Sequence, residues 1–339
     1  MIRAKLSEWS WKKSIMNGKQ HILITGGNGY LGSNITLHLN KAGHQVYALC
    51  RRKFDEQRLW DQKGIITILG DLTEDACFDQ LEKYTFDTII HLVSLNHYDS
   101  ENNPEQVLKI NVLPTWRLLK TFSNKGLKKF IYLSTQQVYG RIPAIEVNED
   151  RTPSPVNAYG LTHLQSEQVV NLYREKGIDA VSLRLSNSYG APVFHENSWW
   201  WLVVNDLCRS AFYNHKIKLL SDGSPQRDFI HISDVAKTIL KLTEKEKLEN
   251  NVYNLSSNIT YTILELAFIV QEQFQKRYSE LVPIVNSNDE EFSNTENISE
   301  VQKYKIDNHR ILQEGINLTT DIRRGINSLF SYFEQQKNK

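Results

Sequence analysis

A glycine-rich segment near the start of the chain, Thr25-Gly26-Gly27-Asn28-Gly29-Tyr30-Leu31-Gly32, restricts the possible folds more than any other feature. It follows an apolar run, His21–Thr25, that predicts a strand, and it leads into an amphipathic stretch that predicts a helix. In such a turn Gly26 allows the sharp bend, Gly29 lets a pyrophosphate approach the backbone, and Gly32 allows close helix packing. The segment therefore predicts a dinucleotide-binding turn. The alternative is a tight strand–helix connection that holds no ligand.

Apolar runs and amphipathic stretches alternate over the first two hundred residues. Strict alternation of this kind predicts an α/β fold with a doubly wound parallel sheet of the Rossmann type, covered by helices on both faces. Strands are predicted at His21–Thr25, Gln45–Leu49, Ile65–Leu69, Thr88–Val93, Phe130–Ser134 and Ala180–Leu185, and helices at Tyr30–Asn40, Gln106–Ser123 and Val156–Tyr173. The helix over Gln106–Ser123 is expected to be broken or started by Pro114.

The alternation ends after Tyr189, which suggests a second domain. We expect an N-terminal extension over 1–20 and a dinucleotide-binding domain over 21–187, with contributions from 226–256. Residues 188–225 and 257–335 are expected to form a smaller C-terminal α/β cap that binds substrate.

Composition excludes several classes of protein. Forty basic and 39 acidic residues give a formal charge of +1, so nothing favours a nucleic-acid partner. The three cysteines, Cys50, Cys77 and Cys208, match neither a metal site nor a disulfide framework, and they indicate a reducing, cytoplasmic compartment. We find no signal peptide and no apolar stretch long enough to cross a membrane. No metal is expected.

The end of the second predicted strand bears on which nicotinamide cofactor the turn would bind. An acid there would contact the ribose 2′-hydroxyl of NAD(H), whereas a nearby arginine accommodates the 2′-phosphate of NADP(H). The strand ends in Leu49-Cys50 without an acid, and Arg51 and Arg52 follow. The cofactor is therefore expected to be NADP(H) or NAD(H), and the two arginines favour NADP(H) unless they are simply a solvated strand end.

Several further segments occur in a fixed order along the chain. They are Gly70-Asp71-Leu72, His91-Leu92-Val93-Ser94, Asn111, Leu133-Ser134-Thr135-Gln136-Gln137-Val138-Tyr139-Gly140, Leu183-Arg184-Leu185-Ser186-Asn187-Ser188-Tyr189-Gly190 and Arg227-Asp228-Phe229-Ile230-His231-Ile232-Ser233-Asp234-Val235. With the glycine turn, the ordered set resembles the extended short-chain dehydrogenase/reductase family, specifically its nucleotide-sugar epimerases, dehydratases and reductases. The resemblance runs from about residue 22 to the C-terminus.

The resemblance implies which residues contact the cofactor. The glycine turn would cradle the pyrophosphate, Asp71 and its neighbour would lie at the adenine side, and the segment ending at Ser94 would lie along the cofactor. The full expected set is Gly26, Asn28, Gly29, Tyr30, Leu31, Gly32, Arg51, Arg52, Asp71, Leu72, Leu92, Val93, Ser94, Asn111, Tyr159 and His163.

The expected catalytic pair departs from the family pattern of Tyr-x-x-x-Lys. Tyr159 is in place, but His163 stands where the family has a lysine that binds the nicotinamide ribose and lowers the tyrosine pKa. A neutral imidazole can hydrogen-bond a ribose hydroxyl, but only protonated histidine adds a positive charge. Thr135 is expected to hydrogen-bond the sugar oxygen whose proton Tyr159 moves. The alternative is that Tyr159 and His163 are structural residues in a chain that has lost catalysis.

Gln136 and Gln137 narrow the expected reaction. In the family, 4,6-dehydratases carry an Asp-Glu acid–base pair at these two positions, and reductive 3,5-epimerases carry a cysteine at the second. Glutamine can neither donate nor accept the proton that these reactions transfer. What remains is an NAD(P)-dependent oxidoreductase or isomerase of carbohydrate biosynthesis, most simply a 4-epimerase or a 4-ketoreductase. The alternatives are a non-catalytic NAD(P)-binding sensor or assembly subunit and an enzyme for another carbonyl substrate, such as a sugar lactone.

The substrate is expected to be a nucleotide-activated sugar. The resemblance places Asn187 and Arg227 against its diphosphate or nearby ribose, and the planar guanidinium suits paired bonds to phosphate oxygens. An ion pair between Arg227 and Asp228 is the structural alternative. His97, in the loop after the fourth strand, is expected near the reacting sugar. The resemblance also implies a homodimer.

Overall fold

The computed structural model describes residues 18–142, 145–197, 200–288, 290–291 and 302–338. Most of the predicted N-terminal extension, 1–17, lies outside the described residues. In the described part of the chain, no helix is long and apolar enough to cross a membrane. All three cysteines are buried and free of disulfides, as their spacing predicts.

Strands and helices alternate as predicted through the first two hundred residues. The strands are β1 (His21–Thr25), β2 (Gln45–Cys50), β3 (Ile66–Leu69), β4 (Thr88–His91), β5 (Lys129–Thr135), β6 (Glu146–Val147), β7 (Asp179–Leu185), β8 (Asn187–Tyr189), β9 (Ile217–Lys218), β10 (Gln226–His231), β11 (Val252–Leu255), β12 (Thr260–Thr262), β13 (Ile284–Val285) and β14 (Lys305–Ile306). The helices are α1 (Tyr30–Lys41), α2 (Arg58–Gln62), α3 (Asp75–Leu81), α4 (Pro104–Val107), α5 (Leu113–Ser123), α6 (Ala158–Arg174), α7 (Val203–Asn214), α8 (Ile232–Glu244), α9 (Ile263–Tyr278), α10 (His309–Gln313) and α11 (Ile322–Lys337).

Seven strands form one central sheet, in the order β11-β7-β5-β4-β1-β2-β3. β1 pairs in parallel with β2 and β4, and the pairs β2–β3 and β4–β5 are also parallel. The chain runs outward from β1 to β3 and then returns to β4 on the other side of β1. The sheet therefore has a switch point between β1 and β4, which confirms the predicted doubly wound Rossmann architecture.

Burial explains why these segments form strands and helices. Ile22, Leu23 and Ile24 in β1 are completely inaccessible to solvent, as expected for a central parallel strand covered on both faces. In α1 the buried residues recur on one face, including Ile35 and Leu39. A cluster of buried side chains fills one side of the sheet, including Leu23, Leu49, Phe78, Ile89, Phe122 and Phe130.

The helix predicted over 106–123 is interrupted just before Pro114, as the sequence indicates. The structure has α4, a wide π-helical turn over Leu108–Val112, and then α5. Pro114 lacks the N–H group that a regular helix needs for its bond to the preceding turn, so the interruption lies where its ring would disturb the hydrogen-bond ladder. Asn111, inside this wide turn, is completely buried.

The described residues divide into two compact units. The first comprises the described part of Met1–Gly140 with Pro153–Arg184 and Ala236–Tyr253, and the second comprises Arg141–Thr152, Leu185–Val235 and the described part of Asn254–Lys339. This division assigns Arg141–Thr152 to the second unit, whereas the sequence placed it in the dinucleotide-binding domain. Our boundaries at 187, 226 and 256 stay a prediction.

The second unit has its own small sheets and an aromatic core. β10 pairs in parallel with β8 and antiparallel with β12, while β13 pairs with β9 and β14 with β6. Rings from α7, α9 and α11 pack together, with Phe274 lying 5.6 Å from Phe330 between ring centroids and Phe212 lying 5.5 Å from Phe333.

Candidate active site

The glycine turn connects β1 to α1 in a conformation that needs glycine. Gly26 has φ +69°, which side chains rarely adopt, and a Cβ at Gly32 would overlap the carbonyl oxygen of Gly26. The N–H of Gly29 donates to that carbonyl at 2.9 Å. No side chain caps the first turn of α1 and no acidic residue lies in it. The helix N-terminus therefore keeps its positive partial charge, which suits a phosphate.

Asn28 connects the glycine turn to the segment after β2. Its side-chain amide donates to the carbonyl oxygen of Arg52 at 2.7 Å and to Oε1 of Gln57 at 3.1 Å. Gln57 is completely buried and also donates to Oγ1 of Thr67 at 3.1 Å. Sequence analysis missed Gln57, because it lies outside every motif and acts only through contacts made in the fold. The described bonds of Asn28 give it a role in holding the turn.

The remaining predicted cofactor residues on β2 and β3 lie at the strand ends. Arg51 and Arg52 are exposed, and the guanidinium of Arg52 lies 5.3 Å from the centroid of the Phe54 ring. After β3, Asp71 accepts hydrogen bonds from the N–H and hydroxyl of Thr73, at 2.9 and 2.8 Å. The neighbouring predicted residue, Leu72, is buried.

Asn111 links the segment after β4 to α6. Its Oδ1 accepts from the N–H of Leu95 at 2.8 Å, and its Nδ2 donates to Oγ1 of Thr162 at 3.0 Å. These two bonds fix the loop that carries Leu92, Val93 and Ser94 against the helix that carries Tyr159. The described geometry gives Asn111 a positioning role, and its predicted cofactor contact stays a prediction.

Tyr159 lies where three predicted site residues meet. The hydroxyls of Ser94 and Thr135 are the polar groups that act on its phenol, and both lower its pKa. Burial outweighs them and raises the pKa of Tyr159 above its ordinary value. The ring of His97 lies edge-on to Tyr159, with the centroids 6.4 Å apart. Thr135 also accepts a bond from the N–H of Gln137 at 3.2 Å, so it has a structural role as well.

His163 is deeply buried one helical turn after Tyr159. The two ring centroids are 4.4 Å apart, and Nδ1 of His163 lies 2.7 Å from the hydroxyl of Tyr132. Burial lowers the pKa of His163 to about 3, so its ring is neutral at pH 7. Nε2 of His163 is buried and has no hydrogen-bond partner among the described residues. The histidine therefore does not reproduce the charge of the lysine that it replaces.

Gln136 and Gln137 occupy the turn between β5 and β6. Oε1 of Gln137 accepts from the side-chain amide of Asn157 at 2.9 Å, and Asn157 in turn caps α6 through the N–H of Gly160 at 2.7 Å. Gln136 is nearly buried. Neither side chain can give or take a proton at neutral pH.

The two predicted substrate residues lie in the second unit. Nδ2 of Asn187 donates to the carbonyl oxygen of Asp228 at 2.9 Å. Arg227 is exposed, whereas the carboxylate of Asp228 is buried and accepts from Ser257 and Ile259. Neighbouring strand residues point to opposite faces, so an ion pair between Arg227 and Asp228 is not formed. The guanidinium of Arg227 remains accessible to an anion.

The fold agrees with comparisons to known proteins. Residues 22–256 match the model of the NAD dependent epimerase/dehydratase family. The chain is 27% identical over 272 residues to a dTDP-D-glucose 4,6-dehydratase of Dictyostelium discoideum, a match that covers 73% of this chain and 61% of that protein. It is also 27% identical over 263 residues to a UDP-glucose 4-epimerase of Corynebacterium glutamicum, covering 74% and 79%.

Solved structures show the same fold. An ADP-L-glycero-D-manno-heptose-6-epimerase of Helicobacter pylori aligns with a TM-score of 0.75 at 25% identity, covering 93% of this chain and 96% of that one. A UDP-N-acetylglucosamine 4-epimerase of Methanobrevibacter ruminantium aligns with a TM-score of 0.78 at 21% identity, covering 94% and 99%. Since the family model matches well over half of the chain, this protein belongs to the NAD-dependent epimerase/dehydratase family.

Proposed function

We propose that this protein is an NAD(P)-dependent enzyme that exchanges a hydride at C4 of a nucleotide-activated sugar, as a 4-epimerase or a 4-ketoreductase. The observation that carries this proposal is the placement of Tyr159, whose phenol has the hydroxyls of Ser94 and Thr135 as polar neighbours and the ring of His97 edge-on to it. A phenol so placed can exchange a proton with a sugar oxygen bound beside it.

The residues of the glycine turn fit a nicotinamide dinucleotide. Gly26 and Gly32 leave the helix N-terminus open to a pyrophosphate, and the unpartnered Nε2 of His163 offers a buried hydrogen bond to a ribose hydroxyl. The cofactor would supply or accept the hydride. Arg51 and Arg52 support NADP(H) as the finer proposal, and comparing the affinities of the two oxidised cofactors tests it.

Each residue near the phenol has a separate proposed role. Tyr159 moves the proton of the reacting sugar oxygen, and Thr135 hydrogen-bonds that oxygen and orients it. His163 contacts the cofactor ribose as a neutral ring. His97, edge-on to Tyr159, bounds the space where the sugar binds.

Two glutamines support hydride exchange without dehydration. Loss of water needs an acid for the leaving hydroxyl and a base for the carbon-bound proton. Gln136 and Gln137 provide neither, and Gln137 is already bound to Asn157. A 4,6-dehydratase activity like that named for the Dictyostelium relative is therefore not proposed for this chain.

The proposed substrate is a sugar joined to a nucleoside diphosphate. Arg227 presents an exposed guanidinium suited to phosphate oxygens, and Asn187 lies on the strand that pairs with β10. Relatives are named for UDP- and dTDP-sugars, so these are the first to test.

We further propose a cytoplasmic homodimer. Exposed apolar residues on α5 and α6 support the dimer, and three unpaired thiols support the compartment.

The test is hydride exchange measured by cofactor absorbance with a panel of UDP- and dTDP-sugars and their 4-keto forms. Tyr159→Phe should lower turnover by about 10² to 10⁴-fold while cofactor affinity is kept. Tyr173→Phe, on the same helix but buried in the hydrophobic cluster, is the matched control and should keep full turnover. Equal turnover by the wild type and Tyr159→Phe would contradict the proposal.

A non-catalytic cofactor-binding role is the second candidate. It is favoured by one observation, the neutral ring of His163 in place of the family's lysine. Tight cofactor binding by the wild type, without exchange in either direction across the panel, would select it over the enzyme.

A further inference from the structure

A buried glutamine joins the glycine turn to the segment after β2, and the proposed function gives it no role. Gln57 lies seven residues beyond the end of β2 and is completely inaccessible to solvent. Burying an amide is costly unless its hydrogen-bonding groups find partners inside the protein. The partners of Gln57 therefore show which segments it holds together.

The side-chain amide of Gln57 uses all four of its hydrogen-bonding positions. Its Oε1 accepts from Nδ2 of Asn28 at 3.1 Å and from the N–H of Phe54 at 3.2 Å. Its Nε2 donates to Oγ1 of Thr67 at 3.1 Å and to Sγ of Cys50 at 3.6 Å. An inverted amide would place its own N–H groups against two donors, so these contacts determine its orientation.

The backbone that leads to Arg52 is held at two points. The carbonyl oxygen of Cys50 accepts from the N–H of Gly70 at 3.0 Å, which ties the end of β2 to the segment after β3. The carbonyl oxygen of Arg52 accepts from Nδ2 of Asn28 at 2.7 Å, and the same nitrogen donates to Gln57. Gln57 thus fixes the plane of the Asn28 amide, and that amide fixes the backbone at Arg52.

Gln57 also fixes the ring on which the Arg52 side chain lies. The N–H of Phe54 donates to Gln57, and the guanidinium of Arg52 lies 5.3 Å from the centroid of the Phe54 ring. A guanidinium that packs on an aromatic ring keeps its planar N–H edge for an anion. Lys53, between these two residues, is instead paired with Asp61 at 3.2 Å. In the described part of the chain, Arg52 forms no ion pair that would compete with a phosphate.

We propose that Gln57 sets the cofactor specificity of this protein, by holding Arg52 where its guanidinium binds the 2′-phosphate of NADP(H). This rests on the proposed function, in which the glycine turn binds the pyrophosphate of the same cofactor. Paired bonds from a guanidinium to phosphate oxygens need a fixed orientation, which the contacts of Asn28 and Phe54 supply. Gln57 is a positioning residue, because it is buried and reaches the phosphate only through these neighbours.

The affinities of NADP⁺ and NAD⁺, measured by calorimetry, test the inference without turnover. The wild type should bind NADP⁺ at least about tenfold more tightly than NAD⁺, because NAD⁺ lacks the 2′-phosphate. Gln57→Met keeps a side chain of similar size but removes the four bonds, and should lower that ratio at least about fivefold. The matched control is Gln45→Met at the other end of β2, which removes only a bond to the carbonyl oxygen of Gly64 and should leave the ratio unchanged.

A double-mutant cycle tests whether Gln57 acts through Arg52. Arg52→Met alone should lower the NADP⁺ to NAD⁺ affinity ratio at least about tenfold, because it removes the phosphate partner. In the Arg52→Met background, Gln57→Met should leave the ratio unchanged, since the group that it positions is already absent. A purely structural role of Gln57 would instead weaken binding of both cofactors alike.

Thr67→Val provides the test if Gln57→Met does not fold. It removes one bond of Gln57 with little change in shape, and should lower the affinity ratio about twofold to fivefold. A ratio that Thr67→Val or Arg52→Met leaves unchanged overturns the inference. A wild type that binds NAD⁺ at least as tightly as NADP⁺ also overturns it, while the proposed hydride exchange stands. A wild type that binds neither cofactor refutes the proposed function itself.

Discussion

Glu167 on α6 and Arg184 on β7 form a buried, two-point ion pair. The guanidinium donates to both carboxylate oxygens, with Nη2 at 2.8 Å and Nε at 3.1 Å, and each side chain is 5% exposed. Ser134 on β5 donates to the same carboxylate at 2.5 Å. The carboxylate thus fixes the helix that carries Tyr159 to two strands of the central sheet.

Removing the charge of Glu167 should destabilise the protein strongly. Glu167→Gln leaves Arg184 buried without a counter-charge, which typically costs about 3–5 kcal/mol of unfolding free energy. Urea denaturation measures the loss. The matched control is Glu272→Gln, which breaks more exposed pairs with Lys276 and Arg323 and should cost less than about 1 kcal/mol. Equal losses in the two variants would show that burial does not control the effect.

A methyl group at Gly32 should damage the cofactor site without affecting the rest of the fold. The added Cβ overlaps the carbonyl oxygen of Gly26, so the turn must open and the helix N-terminus must move. Gly32→Ala should weaken cofactor binding at least about tenfold, as measured by calorimetry. Gly64→Asn is the control, because asparagine tolerates its φ of +71° and its Cβ would meet nothing within 4 Å. Unchanged affinity in Gly32→Ala would contradict the proposed pyrophosphate site.

Two buried neutral histidines should make the protein less stable in mild acid. Burial lowers the pKa of His91 and of His163 to about 3, below the value of about 6.5 in an unfolded chain. Their contribution to stability is fully present above pH 6.5 and is lost as pH falls toward 3, because the unfolded state binds the protons first. The slope is about 1.4 kcal/mol per pH unit for each histidine.

Urea denaturation between about pH 5 and 6.5 measures this slope, since most carboxylates stay ionised there. His163→Gln should reduce the slope of unfolding free energy against pH by about 1.4 kcal/mol per pH unit, which corresponds to one proton fewer bound on unfolding. A slope in His163→Gln equal to that of the wild type would show that His163 is not buried as a neutral ring.

The part of the site that could be predicted from sequence is the part fixed by local geometry. The glycine turn follows from backbone space at Gly26 and Gly32, and Tyr159 and His163 share a helix face because they are four residues apart. The parallel pairing around β1 likewise follows from alternating apolar runs, because parallel strands need helical crossovers between them.

Contacts between distant segments could not be predicted in this way. Tyr132 reads as an ordinary strand residue, and only the packing of α6 on β5 shows that it bonds His163. Gln57 reads as a surface polar residue, although it is completely buried against the glycine turn. Pro114 predicts a break in the helix over 106–123, but the wide turn at Leu108–Val112 could not be located, because hydrophobic periodicity continues through it.

The proposed dimer should depend on an apolar surface formed by α5 and α6. Leu113 and Trp116 on α5 are 51% and 46% exposed, and Leu161 and Leu172 on α6 are 48% and 41% exposed. Two neighbouring helices with large exposed apolar residues are typical of a subunit interface, because burying them releases water from apolar area.

A lysine in the centre of that surface should separate the subunits. Trp116→Lys places an ammonium where the partner would exclude water, so the equilibrium should shift from dimer to monomer, as measured by sedimentation. Leu220→Lys is the control, since Leu220 is the more exposed at 83% and belongs to the second unit, whereas α5 and α6 belong to the first. A dimer that survives Trp116→Lys but dissociates in Leu220→Lys would place the interface elsewhere. A monomeric wild type would refute the dimer itself.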